Sequence, residues 1–501
     1  MADKIYLHRS IPLLFGVPSA RASNWAVVIS ILVMAAISFA YILVDMVASF
    51  PFFHFTTALL LIHGATALMT TGANLLYIFR YMLVWILIFA TASVFAIYGG
   101  EVLVHWFGTQ YQTPENTQIL LLAGVFSLCG SLIGWHVSLR EFRGSRCNPF
   151  LLETNKKKRL RQVGYLLAFC FAILYVWKSG GILVGDSTYG NREEPFELTF
   201  GVFNIFHFTG IALLLLSAIT TSGIQQKVVL LSVLTLVPGM LTGSRADFLP
   251  QAFIVLMLIA NTKVVAILAK RSYLQLTIYF MLGSLTLAIG YLTASFIALW
   301  RTGIDISSVI KTFISRENGL LIQEVYDKKI IFLETGNMML GGLYSAIVQV
   351  REGYTGFLYG ESYLNYLIIS PPAFLGLPRP LGLEWFTSIN GEIITQGGIF
   401  EVAEAYWNFG IFGCFAVSFG LSYFFAWIMR RGVLHNNYFF LVWYFVFGIH
   451  GFRSIWYQNF SYFRLMTVML VILGLSYLFF RWFSKDHAAS RQKFVDSSAF
   501  T

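Results

Sequence analysis

Runs of about twenty apolar residues, separated by polar breaks, recur along this chain from one end to the other. A helix rises about 1.5 Å per residue, so a run of that length is what crossing a bilayer requires. The pattern predicts spans near 25–47, 52–71, 75–99, 118–139, 162–177, 200–220, 227–242, 246–268, 273–300, 405–429, 437–451 and 462–482. Short turns between helix pairs favour antiparallel neighbours. The expectation is an all-α polytopic membrane protein with about twelve transmembrane helices.

The pattern lapses once, over a stretch of about a hundred residues. There Arg301, Arg316, Arg351, Arg379, Glu392 and Glu401 stand among aromatics, glycines and prolines, and Glu404 opens the apolar run that follows. A loop this long inside a compact membrane protein is more often functional than merely connecting. The chain therefore divides into nine helices over 1–300, one large loop over 301–403, and three further helices with a tail over 404–501. Within the loop, Val309, Ile310, Phe313, Ile314, Leu321 and Val325 recur at near-helical spacing, with Lys311, Glu317 and Glu324 between them. That spacing predicts an amphipathic helix over 306–326, lying in the interface. Pro371, Pro372, Pro378 and Pro380 predict a short segment without regular structure. Gly360-Glu-Ser-Tyr-Leu-Asn-Tyr366 and Ala403-Glu-Ala-Tyr-Trp-Asn-Phe409 echo each other, a likeness short enough to arise by chance.

Composition narrows the class. Hydrophobic residues make up 57% of the chain and charged residues 12%, with a mean hydropathy of +0.70. A soluble domain is about a quarter charged, so a soluble enzyme is excluded. A net charge of +10 would suit nucleic acid, but the charge sits in the breaks, where the positive-inside bias explains it. Arg140, Arg143, Arg146, Lys156, Lys157, Lys158, Arg159 and Arg161 crowd one break and mark it as cytoplasmic. Counting spans from that break puts both termini inside, together with Lys227, Lys270, Arg271, Arg430, Arg431, Arg481 and Lys485. The break around Asp186, Arg192, Glu193, Glu194 and Glu197 falls outside, as does the large loop. The first apolar run is too long for a signal-peptide core and has no small-residue cleavage site, so it reads as the first span. Cys129, Cys147, Cys170 and Cys414 are scattered and suggest neither a disulfide framework nor a metal site.

Charge at an outer helix end runs against the statistical bias and calls for a partner or a task. Leu241-Thr-Gly-Ser-Arg-Ala-Asp247 joins two runs at the outer face, and Ser244 with Asp247 resembles a capping box. Arg245 then falls in a first helical turn, where free N–H groups and the helix dipole favour an anion and a guanidinium fork suits phosphate. The plainer reading is a capped turn whose arginine pairs with Asp247. Arg301, directly after Trp300, and Arg316 beyond it are second cationic contacts on one reading and interfacial anchors on the other. His450-Gly-Phe-Arg453 lies at a further outer end, where His450 could exchange a proton and Arg453 could bind an anion. A lone histidine at a helix end is more often only hydrogen-bonded. Glu401 and Glu404 could each act as general base towards a hydroxyl, or could simply favour a helix amino terminus. Glu392, Asp186, Glu193 and Glu194 are weaker candidates of the same kind. No GxxxxGK[ST], HExxH, helix-opening GxSxG or outer DxD pair occurs, so neither a metal nor another cofactor is indicated.

Three segments carry a family likeness. Gly243-Ser-Arg-Ala-Asp247, Tyr359-Gly-Glu-Ser-Tyr363 with Pro371-Pro372, and Glu404-Ala-Tyr-Trp-Asn-Phe-Gly410 resemble segments of bacterial oligosaccharide repeat-unit polymerases of the Wzy type, which act in O-antigen and exopolysaccharide synthesis. The topology is similar over most of the chain, and the motifs cover some forty residues. Lipid-A-core O-antigen ligases share the broad plan. The resemblance implies a GT-C-like membrane glycosyltransferase in the bacterial inner membrane, with its active site on the periplasmic face and no metal. Its substrates would be undecaprenyl-diphosphate-linked oligosaccharides within membrane lipid. A growing glycan would move from that carrier onto the end sugar of a new repeat unit, and a chain-length-regulating co-polymerase is an implied partner. In such a reaction Arg245, with Arg301, Arg453 and Arg316, would meet the diphosphate, and Glu404, Glu401 or His450 would take the acceptor proton. The alternatives are a ligase and a lipid-linked oligosaccharide transporter. A transporter usually carries mid-membrane charge and repeated halves, whereas here Asp45 and Arg80 fall near span ends.

Overall fold

The computed structural model describes residues 20–43, 50–70, 114–142, 154–178, 194–220, 223–236, 346–353, 356–374, 400–435 and 437–457, with shorter pieces between 74 and 88, at 274 and 278, and between 462 and 470. These residues are predominantly helical: α1 Ala20–Leu43, α2 Phe50–Thr70, α3 Pro114–Ser138, α4 Thr154–Lys178, α5 Glu194–Ala218, α6 Gln226–Leu234, α7 Glu361–Phe374, α8 Glu401–Leu434 and α9 Tyr438–Tyr457. A two-residue antiparallel ladder pairs Ile219–Thr220 with Gly223–Ile224 and tightens the turn from α5 to α6. Among the described residues three helical stretches are long and apolar enough to cross a membrane: Arg21–Ile42, Gln118–Ser138 and Glu401–Leu434. The apolar runs expected near 52–71, 162–177, 200–220 and 437–451 coincide with helices α2, α4, α5 and α9. The run at 246–268, the run at 273–300 apart from residues 274 and 278, the amphipathic segment 306–326 and the break at 241–247 lie outside the described residues.

Two expectations are corrected. The run predicted as one span near 405–429 is part of α8, which opens at Glu401 and is interrupted at Phe409 and Gly410. Pro371 and Pro372 lie inside α7 rather than in irregular chain. A proline's fixed φ of about −65° is itself helical, and near the helix end the i→i−4 bond that each proline loses interrupts no long ladder beyond it.

The centre of the fold is the pairing of α3 with α8. Of the apolar window in α3, 89% is buried, against 22% in α1, so α3 is central and α1 peripheral. The two central helices run parallel, because Ser127 bonds Ser418 at 2.7 Å, Ser131 bonds Ser422 at 2.6 Å, and Arg430 donates to the Ser138 carbonyl at 2.7 Å. Gly130 and Gly134 let the backbones approach: a Cβ at either would lie 2.3 Å from the carbonyl oxygen of Phe415 or Phe419. Small residues four apart, with hydroxyls bonded across the seam, are how helices associate where no hydrophobic force separates helix from lipid. A second polar cluster ties α1 and α2 to this centre. The His63 ring bonds Ser30 at 3.0 Å and Tyr81 at 2.5 Å, with the Cys129 sulfur 3.4 Å away.

Candidate functional site

The break in α8 organises the site. Gly410 has φ 68° and ψ −156°, a conformation open to glycine almost alone, and Phe409 beside it is also non-helical. The chain turns there, so the half-helix 401–408 lies back against the opening of the longer part. The Ala405 carbonyl stands 2.5 Å from where a Cβ on Gly413 would be, and the Cys414 thiol reaches the Val402 carbonyl at 3.5 Å. Residues 401–408 are all buried, whereas Phe409 and Phe412 are exposed.

A helix break frees carbonyls that must find donors. Here the segment opening α7 supplies them. Leu358 N–H donates to the Trp407 carbonyl and Tyr359 N–H to the Asn408 carbonyl, both at 3.0 Å. Asn408 completes the seam: its Oδ1 accepts from Gly360 N–H at 2.9 Å, and its Nδ2 donates to Ser362 Oγ at 2.7 Å and to the Glu404 carbonyl at 2.9 Å. Ser362 Oγ in turn donates to Glu404 Oε1 at 2.9 Å. Tyr359, with φ 46°, and Gly360, with φ 94°, give the sharp entry into α7, and the Tyr363 ring stacks on Phe409. The two short segments that echo each other in the sequence are thus docked together. Tyr366 is buried beside Glu404, and burial followed by that carboxylate's charge holds its phenol well above the ordinary value of 10.

Beneath this seam lies a buried ion pair. Arg80 Nη2 bonds both oxygens of Glu401 at 2.5 Å, and Arg80 Nε donates to Tyr462 Oη at 2.8 Å. Arg80 is 8% exposed and Glu401 4%. Arg80 and Tyr462 line a cavity with Tyr77, Leu421, Ser422, Phe425, Phe447 and Gly448, with room for about one water molecule. Leu421 lies eleven residues past Gly410, about 16 Å along the helix from the break. Arg80, read from the sequence as a span-end residue, is therefore enclosed well away from that end of α8.

Of the residues singled out in the sequence, Glu401 and Glu404 are brought into this unit. Both oxygens of Glu401 are taken by a guanidinium, while Glu404 accepts from a neutral hydroxyl. His450 and Arg453 lie on α9, shortly after the cavity-lining Gly448; their side chains are outside the described residues. Arg245, Arg301 and Arg316 also lie outside them. Among the described residues no group of three or more His, Cys, Asp or Glu is arranged to hold a metal ion. Sequence reasoning passed over Arg80, Ser362, Asn408 and Tyr462. The usable signal was Arg80 itself, an arginine inside an otherwise apolar run, which in a membrane protein points to a partner. Comparison with family models, with curated proteins and with solved structures finds no match for this chain.

Proposed function

We propose that this protein is a membrane glycosyltransferase of the repeat-unit polymerase kind, GT-C-like and with about twelve spans. It moves a glycan from a polyprenyl diphosphate carrier onto the end sugar of a lipid-linked oligosaccharide. The observation that carries this reading is the docking of Tyr359–Tyr363 onto Glu404–Gly410. These two segments, more than forty residues apart, bear the family likeness, and they meet as one hydrogen-bonded unit that joins the large loop to the start of α8. Arg140, Arg430 and Arg431 gather at one end of the parallel pair α3 and α8, and the break with Glu115 and Arg351 at the other. A cytoplasmic basic end would turn the break and the large loop to the periplasm.

In this reading Glu404 is the preferred base, since its carboxylate meets neutral hydroxyls, Ser362 and Tyr366, rather than a guanidinium, and a base must come within hydrogen-bond reach of the proton it takes. Arg245, Arg301, Arg453 and Arg316 are assigned to the diphosphate, where fixed positive charge stabilises the leaving group as the glycosidic bond breaks. His450 stays the alternative base. Two lipid-bound substrates held in one groove supply the positioning.

The test is a transfer assay with purified protein and a lipid-diphosphate oligosaccharide repeat unit, comparing wild type with Arg245→Ala and Glu404→Gln. A product ladder from wild type that both variants lose while folded supports the reading and both roles. A single transfer that requires a lipid A core acceptor makes the protein a ligase. The broken helix and the buried Arg80–Glu401 pair favour one further reading, a lipid-linked oligosaccharide transporter, because transporters build sites from interrupted helices and enclosed charge. Movement of the labelled lipid across vesicle membranes, without any new glycosidic bond, identifies that case.

A further inference from the structure

We infer that Arg80 is the positioning residue of the half-helix 401–408: through Glu401 it sets where the Glu404 carboxylate stands. The inference rests on the transferase reading above for its kinetic consequence, but its structural part stands alone. The half-helix is attached to the rest of the molecule at two ends. At 407–410 it is fixed by the backbone bonds from Leu358 and Tyr359 and by Asn408. At its other end Glu401 meets Arg80, 321 residues earlier in the chain, through both carboxylate oxygens. Tyr462 holds the guanidinium by its Nε, so the group that meets Glu401 is itself oriented by a second partner. Glu404 lies one helical turn from Glu401 and takes its bearing from that pair.

Arg80 meets both carboxylate oxygens through Nη2 while Tyr462 holds Nε, so two nitrogens of one planar group are fixed, which a lysine's point charge does not reproduce. A buried pair of this kind is weak evidence for stability, because a well-packed apolar pair often serves as well. Geometry is what the apolar pair could not replace. A displacement of about 1 Å at a reacting group is worth on the order of a hundredfold in rate.

The protein carries its own reporter. Cys414 is buried, with its sulfur 3.5 Å from the Val402 carbonyl and 3.6 Å from the Gly410 carbonyl, so the half-helix covers it. Cys129 is buried in the centre beside His63 and reports global unfolding. The experiment labels the full-length protein with N-ethylmaleimide, reads each cysteine by mass spectrometry, and measures kcat and KM for transfer. The variants are Arg80→Met, Arg80→Lys and the charge-free Arg80→Met/Glu401→Gln.

In Arg80→Met we expect Cys414 to label at least about tenfold faster while Cys129 stays protected, and kcat to fall about a hundredfold with a smaller change in KM. Arg80→Lys should lie between Arg80→Met and wild type. The charge-free double variant should recover folding, seen in Cys129 protection, without recovering Cys414 protection or kcat. Wild-type labelling and rates in Arg80→Met, or full recovery of both in the double variant, would overturn the inference and leave the pair merely structural. If Arg80→Met does not fold, the double variant decides. If wild type itself transfers nothing, the transferase reading fails, and the Cys414 rate alone decides the positioning role.

Discussion

Replacing Gly134 by alanine puts a methyl group into the seam between α3 and α8. The new Cβ would lie 2.3 Å from the Phe419 carbonyl oxygen, where real Cβ contacts essentially never fall below 3.0 Å. The backbones must part by at least 3.0 − 2.3, about 0.7 Å, since a carbonyl in a packed helix cannot swing aside. That movement stretches the Ser127–Ser418 and Ser131–Ser422 bonds from 2.7 and 2.6 Å to about 3.4 and 3.3 Å, beyond the O–H···O range. Two interhelical hydrogen bonds within a membrane are worth about 1 kcal/mol together, and overpacking adds roughly 1–3 kcal/mol. Alanine's better helix propensity returns about 0.5–1 kcal/mol. The net expectation is a loss of roughly 1–3.5 kcal/mol. Gly420→Ala is the control, because it sits on α8 with nothing within 4 Å of its Cβ position. Thermal denaturation of the purified protein in detergent should place Gly134→Ala clearly below wild type and Gly420→Ala at or above it. Equal midpoints for the two variants would refute the close-packed seam.

Other perturbations separate backbone strain from surface charge. Gly410→Ala should cost about 1–3 kcal/mol through its φ of 68° alone, because its Cβ would meet the Phe357 ring at an ordinary 3.4 Å; stability as high as wild type would mean that the break is not held at that conformation. Arg351→Ala removes an ion pair to Glu115 whose side chains are 34% and 62% exposed. It should change stability by no more than about 0.5 kcal/mol, and near 1 M salt the difference should vanish. A large, salt-independent loss would point instead to its bond with the buried Asn116.

Among the described residues the long helices α1, α2, α3, α4, α5 and α9 were legible in the apolar runs, because span length is a property of the bilayer and not of the fold, whereas α7 was missed. What those runs do to one another was not. Gly130 and Gly134 stand four apart in plain view, yet nothing local says that their partners are Phe415 and Phe419. The glutamates 401 and 404 were visible as charge at the edge of an apolar run, but the half-helix was not, since its break depends on donors from Leu358 and Tyr359. Proline misled in the opposite sense: Pro371 and Pro372 read as irregular chain, while their dihedral angles suit the helical last turn in which they lie. Arg80 was undervalued because its depth is fixed by packing against Leu421 and Phe447, and the distance from an apolar run's edge does not reveal that.

The span of 321 residues between Arg80 and Glu401 also bears on how the protein is made. At a synthesis rate of roughly 5–20 residues per second, Glu401 leaves the ribosome about 15–60 s after Arg80 has been threaded towards the membrane. Through that interval the guanidinium must rest in lipid headgroups, in water or on another chain. The serines and glycines of α3 wait almost as long for α8. Nascent chains that stop short of residue 401 are therefore expected to expose a cationic, small-residue face that membrane quality control can recognise. Completion of α8 is the event that hides it.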